Sequence, residues 1–117
     1  MSKLISVITI TYQAEKYISR TLDSISVQKG LENVEYIIID GGSKDATLDL
    51  IEKHSIQVDQ LISESDRGIY DAMNKGIQAS TGKYLLFMNA GDTFADNSTL
   101  ERIQQELSLG PDVLYGD

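Results

Sequence analysis

The sequence contains no cysteine, no tryptophan, one proline and one histidine among its 117 residues. Without cysteine, the chain cannot carry a disulfide framework, a thiolate zinc site or a cysteine nucleophile. The single histidine, His54, cannot supply a multi-histidine metal site. Hydrophobic residues make up 41% of the chain and charged residues 24%, which is typical of one folded globular domain and not of a disordered segment.

Basic residues are scarce, because 10 Lys and Arg are outnumbered by 18 Asp and Glu, which gives a formal net charge of −8. This balance argues against a nucleic-acid-binding protein and against direct binding to anionic lipid. No hydrophobic run approaches the ~20 residues that a membrane-spanning helix needs. The apolar run Leu4–Tyr12 lacks the basic region and the small-residue cleavage site of a secretory signal. We therefore expect a cytoplasmic protein.

Five segments rich in apolar and β-branched residues predict β-strands, at about 4–11, 34–39, 58–63, 84–88 and 112–116. Between them, apolar residues recur at helical spacing over 14–28, 45–54, 68–79 and from Ser98 onward. Gly30 is expected to stop the first helix. The residues from Ser98 to Glu101 match a capping box at the start of the last helix.

This alternation of strands and helices predicts an α/β fold, with a doubly wound, mostly parallel sheet and helices on both faces. No repeat, low-complexity tract or linker divides the chain. The last predicted strand, near 112–116, has no later element to cover it. We therefore expect the sequence to be a piece of a longer protein.

Polar, small and acidic residues follow the predicted strands, where doubly wound sheets bind their ligands. Neither a P-loop nor a G-x-G-x-x-G follows the first strand, which disfavours P-loop NTPases and dehydrogenases. Carboxylates at strand ends instead suit magnesium or manganese bridging to substrate phosphates. The residues at this edge include Thr11, Tyr12, Gln13, Asp40, Ser43, Glu64, Asp66, Arg67, Asn89 and Asp92.

Four stretches, in order along the chain, together resemble the family-2 glycosyltransferases with the GT-A fold. Residues 10–13 (Ile-Thr-Tyr-Gln) are similar to the Pro/Thr-x-Tyr-Asn pattern, and residues 40–45 (Asp-Gly-Gly-Ser-Lys-Asp) to Asp-Asp-Gly-Ser-x-Asp. Residues 66–76 match a stretch common in bacterial transferases that build exopolysaccharide, capsule or lipopolysaccharide units. Residues 89–92 (Asn-Ala-Gly-Asp) stand where the family has its metal-binding Asp-x-Asp.

The resemblance implies that residues 1–117 are the nucleotide-sugar-binding, or donor, part of a glycosyltransferase domain whose acceptor part is absent. The implied reaction transfers a sugar, with inversion, from a nucleotide-diphosphate sugar to a saccharide or lipid-linked acceptor. The implied enzyme is of hexosyltransferase type and serves bacterial cell-surface polysaccharide synthesis. The family's catalytic base lies in a later segment, so no catalytic residue is assigned and this chain alone is expected to be inactive. The resemblance leaves open a peripheral position at the inner face of the membrane for the full-length protein.

The resemblance also assigns site residues. Gly41 replaces the second acidic residue after strand two, which in the family usually meets the nucleotide base. At the Asp-x-Asp position only Asp92 keeps a carboxylate, so weaker metal binding is expected. Asp92 is expected at the mouth of the donor cleft, because strand four should lie beside strand one. The expected nucleotide-sugar residues are Thr11, Tyr12, Asp40, Asp66, Arg67 and Asn74, and the expected magnesium or manganese ligands are Asp92 and Asn89.

Several of these residues also have structural interpretations. Tyr12 could pack at a strand end, Asp40 could cap the following helix, and Asp92 could be a turn residue. Asn74, an unusual residue inside a helix, is expected to make a buried hydrogen bond. Two other function classes remain open. One is a non-catalytic nucleotide-binding or assembly module of the same fold, and the other is a phosphoreceiver-like domain, which the absence of an acidic pair after strand one disfavours.

Overall fold

A computed structural model describes residues 3–108 of the chain. Its four strands are β1 (Ile5–Thr11), β2 (Val34–Asp40), β3 (Gln60–Ser63) and β4 (Tyr84–Phe87). They form one parallel sheet in the order β3-β2-β1-β4. The predicted α/β fold with a parallel sheet is confirmed, and the predicted strand at 112–116 lies outside the described residues.

The α-helices within residues 3–108 are α1 (Ile18–Ser26), α2 (Thr47–Lys53), α3 (Ile69–Ala79) and α4 (Thr99–Ser108), and a 3-10 turn spans Leu31–Asn33. Apolar residues of α1, α2 and α4 share one core with one face of the sheet. On the other face, α3 packs through Ala72 against Ile8, Ile37 and Ile39. Helices on both faces make the sheet doubly wound.

The two central strands are buried on both faces. Along β1, Ile5 and Val7 point into the core formed with α1, whereas Ile8 points into the core formed with α3. All seven residues of β2 are buried. Burial from both sides explains the nearly continuous apolar runs in these two segments.

The ends of α1 differ from the predicted ones. The helix begins at Ile18 and not at Ala14, because residues 15–17 form a turn in which the Ala14 carbonyl accepts the Ile18 N–H at 2.9 Å. The helix ends at Ser26, so Gly30 does not stop it. With a φ of 85°, Gly30 instead begins the 3-10 turn.

The predicted capping box at the start of α4 does not form. The Ser98 hydroxyl lies 3.3 Å from Asn97 Oδ1. The Asp96 carboxylate accepts the Ser98 N–H at 2.9 Å and the Thr99 hydroxyl at 3.2 Å. Together with Arg102, these donors hold the pKa of Asp96 below its ordinary value. Asp96, two residues before the predicted cap, therefore organises this helix start.

At the amino edge of the sheet, β2 carries a buried carboxylate, Glu35. Its Oε1 accepts the Ser6 hydroxyl and the Thr81 N–H, both at 2.8 Å, and its Oε2 accepts the Thr81 hydroxyl at 3.0 Å. Burial raises the pKa of Glu35, but these hydrogen bonds and the charge of Lys3 lower it more, so the net pKa lies below the ordinary value. Glu35 fastens the connection between α3 and β4 to the centre of the sheet.

Candidate functional site

The sheet order brings the loops after β1, β2 and β4 together. As expected, β4 lies beside β1, and Thr11 at the end of β1 pairs with Asp40 at the end of β2. A cleft of about 410 Å³ opens between the end of β1, the start of α3 and the turn after β4. Four residues of the predicted site line it, namely Thr11, Tyr12, Asp66 and Asn89, and so do Gln13, Tyr17, Ile69 and Ala72.

Two residues that line this cleft, Thr11 and Asn89, each have a side-chain oxygen that is buried and has no hydrogen-bond partner among the described residues, namely Thr11 Oγ1 and Asn89 Oδ1. Thr11 is only 2% exposed. An unpaired buried polar atom costs roughly 1–3 kcal/mol and is rare in folded proteins. A small side-chain rotation that exposes either oxygen to the cleft would let a ligand there supply the missing hydrogen bond. A larger hollow of about 620 Å³ beside α2 contains neither of these oxygens.

Asp40 does not line the cleft. It is fully buried, and its carboxylate accepts the N–H groups of Gly42 and Ser43 at 3.0 and 2.8 Å and the hydroxyls of Ser43 and Ser63 at 2.6 and 2.8 Å. These bonds shape the loop after β2 and tie it to β3. Asp40 does not cap α2, which begins only at Thr47.

Gln13 joins the loop after β1 to the loop after β2. Its φ of 50° lies in the left-handed region, which is uncommon for a residue other than glycine. Its N–H donates to Ser43 Oγ at 2.8 Å, and its Oε1 accepts the Lys44 N–H at 2.6 Å. The sequence places Gln13 at this edge but assigns it no role; the family pattern has an asparagine there, a type that tolerates the left-handed region better.

The missing side chain of Gly41 leaves room for Asp66. A Cβ at Gly41 would lie 2.8 Å from Asp66 Oδ2 and 3.3 Å from Tyr12 Cδ1. Asp66 Oδ1 accepts the Gly68 N–H at 3.1 Å, whereas Oδ2 has no hydrogen-bond partner within residues 3–108. Tyr12 is 63% exposed, so its ring offers an open aromatic face beside this carboxylate.

Lys75 of α3 anchors the loop that carries Asp66. Its ammonium donates to the Ser65 carbonyl at 3.1 Å and lies 3.2 Å from Glu64 Oε1 and 3.7 Å from Asp71 Oδ2. Desolvation lowers the pKa of Lys75, but the hydrogen bond and charge of Glu64 and the charges of Asp71 and Asp66 raise it more, so it stays protonated. The contacts of Lys75 with Ser65, Glu64 and Asp71 therefore fix the position of the loop that carries Asp66.

Arg67 does not line the cleft, although it follows Asp66 directly. Its N–H donates to Asp71 Oδ2 at 3.0 Å, which starts the first turn toward α3. The side chain is exposed and makes no ion pair within residues 3–108. The guanidinium is thus free to reach a ligand at the rim.

Asp92 is not at the mouth of the cleft, contrary to the prediction. It lines a separate cavity of about 250 Å³ beside α4, and its Oδ2 accepts the Asn89 N–H at 2.9 Å. The Thr21 hydroxyl of α1 fixes this turn by donating to the Asp92 carbonyl and accepting the Gly91 N–H, both at 2.8 Å. Because the chain reverses within the turn, Asn89 lines the cleft and Asp92 does not.

Asn74 is exposed on α3, so the predicted buried hydrogen bond is wrong. The helix buries Ala72 and Gly76 against the sheet instead, and Asn74 lies away from them. It does not line the cleft either. The prediction assumed that Asn74 lies beside a buried Met73. Met73 is only partly buried, and Asn74 faces solvent, where its amide needs no hydrogen bond from the protein.

Within the described residues, no group of three His, Cys, Asp or Glu side chains could hold a metal ion. The turn after β4 offers two oxygen donors, the unpartnered Asn89 Oδ1 and the exposed carboxylate of Asp92. A hard divalent cation accepts such ligands when phosphates and water supply the others. Asn89 lines the cleft and Asp92 lines the cavity beside α4, so the turn after β4 would have to rearrange before both could hold one magnesium or manganese ion.

The family model described as Glycosyl transferase family 2 matches residues 6–117. The chain belongs to this family. The resemblance seen in the sequence is confirmed, and the parallel sheet with helices on both faces is that of the GT-A glycosyltransferases.

Curated relatives of this family-2 chain include the PGL/p-HBAD biosynthesis glycosyltransferase of Mycobacterium bovis BCG. It is 34% identical over 119 residues, which cover 97% of this chain and 46% of the relative. An uncharacterized glycosyltransferase of Haemophilus influenzae is 36% identical over 104 residues, which cover 86% of this chain and 31% of the relative. The chain therefore spans about half of the first relative's length and less of the second's.

Solved structures with the same fold include Staphylococcus aureus TarS 1–349 in complex with UDP-GlcNAc. It matches with a TM-score of 0.80 and 25% identity, over 91% of this chain and 31% of TarS 1–349. The mannosyltransferase PcManGT from Pyrobaculum calidifontis, in complex with GDP-Man and Mn2+, matches with a TM-score of 0.79 and 24% identity, over 92% of this chain and 33% of its own. The second match shows the shared fold alone. In the described part of this family-2 chain, every helix is too short or too polar to cross a bilayer.

Proposed function

We propose that the chain holds a nucleotide-diphosphate sugar in the cleft and forms the donor part of a hexosyltransferase. The sugar is transferred with inversion to a saccharide or lipid-linked acceptor, in the cytoplasmic synthesis of bacterial cell-surface polysaccharide. One observation carries the proposal: Thr11 and Asn89, which line the cleft, have buried side-chain oxygens that find no hydrogen-bond partner within residues 3–108. Membership of family 2 and the UDP-GlcNAc bound to TarS support the choice of ligand.

The residues in and around the cleft have chemical properties that suit particular roles. The exposed ring of Tyr12 is a stacking surface for a nucleobase, and the Thr11 hydroxyl can both donate and accept at the floor. The free guanidinium of Arg67 can bind the diphosphate, which a chain of net charge −8 must otherwise repel. Asp40 holds the loop after β2 in place, and Gln13 joins that loop to the loop after β1.

Replacing Thr11 by Val tests the proposal, because valine keeps the shape of threonine and removes the unpartnered hydroxyl. Without ligand, Thr11→Val should raise the free energy of unfolding in urea by up to about 1 kcal/mol, since a buried unpaired polar group is lost. Titration calorimetry with UDP and GDP should show binding weakened by roughly tenfold, since one hydrogen bond disappears.

Exposed Thr93→Val is the matched control and should change neither quantity. Higher stability together with weaker binding is the signature of a residue kept for its ligand. If Thr11→Val leaves nucleotide affinity unchanged, the cleft does not hold the nucleotide through this hydroxyl and the proposal loses its main support.

A magnesium or manganese ion completes the proposal, with Asn89 and Asp92 as its protein ligands. Bound there, the ion would neutralise the nucleoside-diphosphate leaving group. Asp92→Ala should abolish any tightening of UDP binding by manganese in calorimetry, while the thermal midpoint should barely change because the carboxylate is exposed in a turn. Asp49→Ala, which removes an exposed carboxylate from α2, should keep the manganese effect.

A second candidate is a non-catalytic nucleotide-binding module of the same fold. The observation that favours it is the Asp92 carboxylate, which accepts a hydrogen bond within its own turn and lies outside the cleft. UDP affinity that is equal with and without manganese, in the native chain and in Asp92→Ala, would support this candidate over the metal-assisted transferase. We expect no sugar transfer by the 117-residue chain alone in either case.

A further inference from the structure

We infer that Asp66 selects the nucleobase of the donor by accepting the ring N–H that uracil and guanine carry and that adenine and cytosine lack. The inference rests on the proposed function, in which the cleft binds a nucleoside diphosphate. Beyond that function, the inference names the bases that the cleft accepts and the residue that discriminates among them.

The first argument is the free oxygen of Asp66. Within the described residues, Oδ1 is engaged by the Gly68 N–H, and Oδ2 has no partner although Asp66 lines the cleft. The neighbouring carboxylates are committed elsewhere, because Asp40 already accepts four hydrogen bonds and Glu64 pairs with Lys75. Asp66 thus presents the carboxylate oxygen that a cleft ligand can use.

The second argument is the aromatic neighbour. The space beside Gly41 is shared by Asp66 Oδ2 and the Tyr12 ring, which lie 2.8 and 3.3 Å from the position of a Cβ there. A planar ring stacked on Tyr12 would therefore bring its edge to the carboxylate. Thr11, 2% exposed and with an unpartnered hydroxyl, forms the adjoining wall of the same cleft.

The third argument is the direction of the hydrogen bond. An ionised carboxylate only accepts, so it favours a base edge with an N–H and repels one with a nitrogen lone pair. Uracil and guanine present a ring N–H at that edge, whereas adenine and cytosine present a ring lone pair. Lys75 holds the loop through Ser65 and Glu64, so the backbone that carries the Asp66 carboxylate is fixed beside the cleft.

The fourth argument is the glycine. Gly41 does not have a left-handed φ, so its backbone conformation does not require glycine. What requires glycine here is the lack of room for a Cβ. That space is filled by Asp66 Oδ2. Any side chain at position 41 would move the carboxylate away from the Tyr12 ring.

Titration calorimetry of the full 117-residue chain with UDP, GDP, ADP and CDP tests the inference. We expect UDP or GDP to bind at least roughly tenfold more tightly than ADP and CDP, as one charge-assisted hydrogen bond allows. Asp66→Asn keeps an oxygen for Gly68 and offers an amide N–H at the other position. It should abolish or reverse this preference, whereas Asp49→Asn on α2 should preserve it.

Gly41→Ala is an independent second variant that leaves Asp66 in the sequence. Its Cβ displaces the carboxylate, which is the mobile end of a side chain, so the thermal midpoint should hold while the base preference falls as in Asp66→Asn. If the native chain binds none of the four nucleotides, the proposed function itself fails. If it binds them equally, or if both variants keep the preference, the role of Asp66 is overturned while the cleft remains a nucleotide site.

Discussion

Two buried carboxylates of β2 hold opposite ends of the sheet. Asp40 organises the carboxyl edge through Gly42, Ser43 and Ser63, and Glu35 organises the amino edge. Burying a carboxylate costs free energy unless hydrogen bonds replace its water. In both cases hydroxyl and N–H donors do so, and the result is a fixed loop at each end of the strand.

Glu35→Gln should weaken the amino-edge connection. The amide keeps the shape but loses the charge-assisted strength of the bonds from Ser6 and Thr81, so we expect a loss of about 1 kcal/mol in the free energy of unfolding at pH 7. The pKa of Glu35 is lowered in the folded state, so its stabilisation is complete above the ordinary value of 4.5 and is lost as the pH falls below it. Urea unfolding at a series of pH values between 7 and 3 measures both effects.

The difference between the native chain and Glu35→Gln should therefore shrink as the pH falls. Exposed Glu32→Gln removes the same charge nearby and should leave both stability and its pH dependence almost unchanged. A difference that stays constant from pH 7 to pH 3 would contradict a role for the ionised carboxylate.

Individual side chains were predictable in type and position but not in the bonds they make. Polar residues after buried strands pointed to Thr11, Tyr12, Asp66 and Asn89, and the structure places all four in one cleft. Asp40 carried the same signal, yet its oxygens are consumed by donors, including one on β3 that sequence order alone does not bring near. How many hydrogen-bond donors reach a carboxylate depends on its neighbours in the folded structure, and these cannot be read from a single sequence.

At the scale of elements, the spacing between α3 and the sheet is set by Gly76. A Cβ there would lie 2.7 Å from Ile8 Cγ2 and 3.6 Å from Ile39 Cγ1, both in the buried core. The close approach lets Ala72 pack on the strands and places the start of α3 at the wall of the cleft.

Gly76→Ala should therefore destabilise the fold although alanine favours helix. Overpacking of a core contact costs about 1–3 kcal/mol, which exceeds the ~1 kcal/mol gained in helix propensity. We expect a net loss of about 1 kcal/mol in urea unfolding. Gln78→Ala, at an exposed position of the same helix, should be neutral or slightly stabilising. A more stable Gly76→Ala would mean that α3 can move away from Ile8 at little cost.

The existence of the elements was easier to predict than their ends. Apolar runs located all four described strands, because burial on both faces leaves a continuous signal. The start of α1 was misplaced because a turn precedes Ile18, whereas the start of α4 was located correctly and only its capping side chain, Asp96, was not. Several residues near each helix start could act as caps, and the choice among them depends on packing.

For the whole molecule, strand order decides which loops meet. Placing β4 beside β1, as the family resemblance anticipated, brings the turn after β4 to the end of β1, and the loop after β3 completes the lining of the cleft. The direction of Asp92 was not anticipated, because the tight turn tied to Thr21 turns it toward α4. The match covers 46% of the length of a curated relative.

The contact between Gly41 and Asp66 also constrains how this cleft can change over evolution. With any side chain at position 41, the present place of the Asp66 carboxylate is blocked by an atom 2.8 Å away. Loss of that side chain must therefore precede, or accompany, arrival of the carboxylate from the loop after β3. Among descendants of such a chain, residues 41 and 66 should vary as a pair, and a lineage that regains an acid at 41 should soon give up the one at 66.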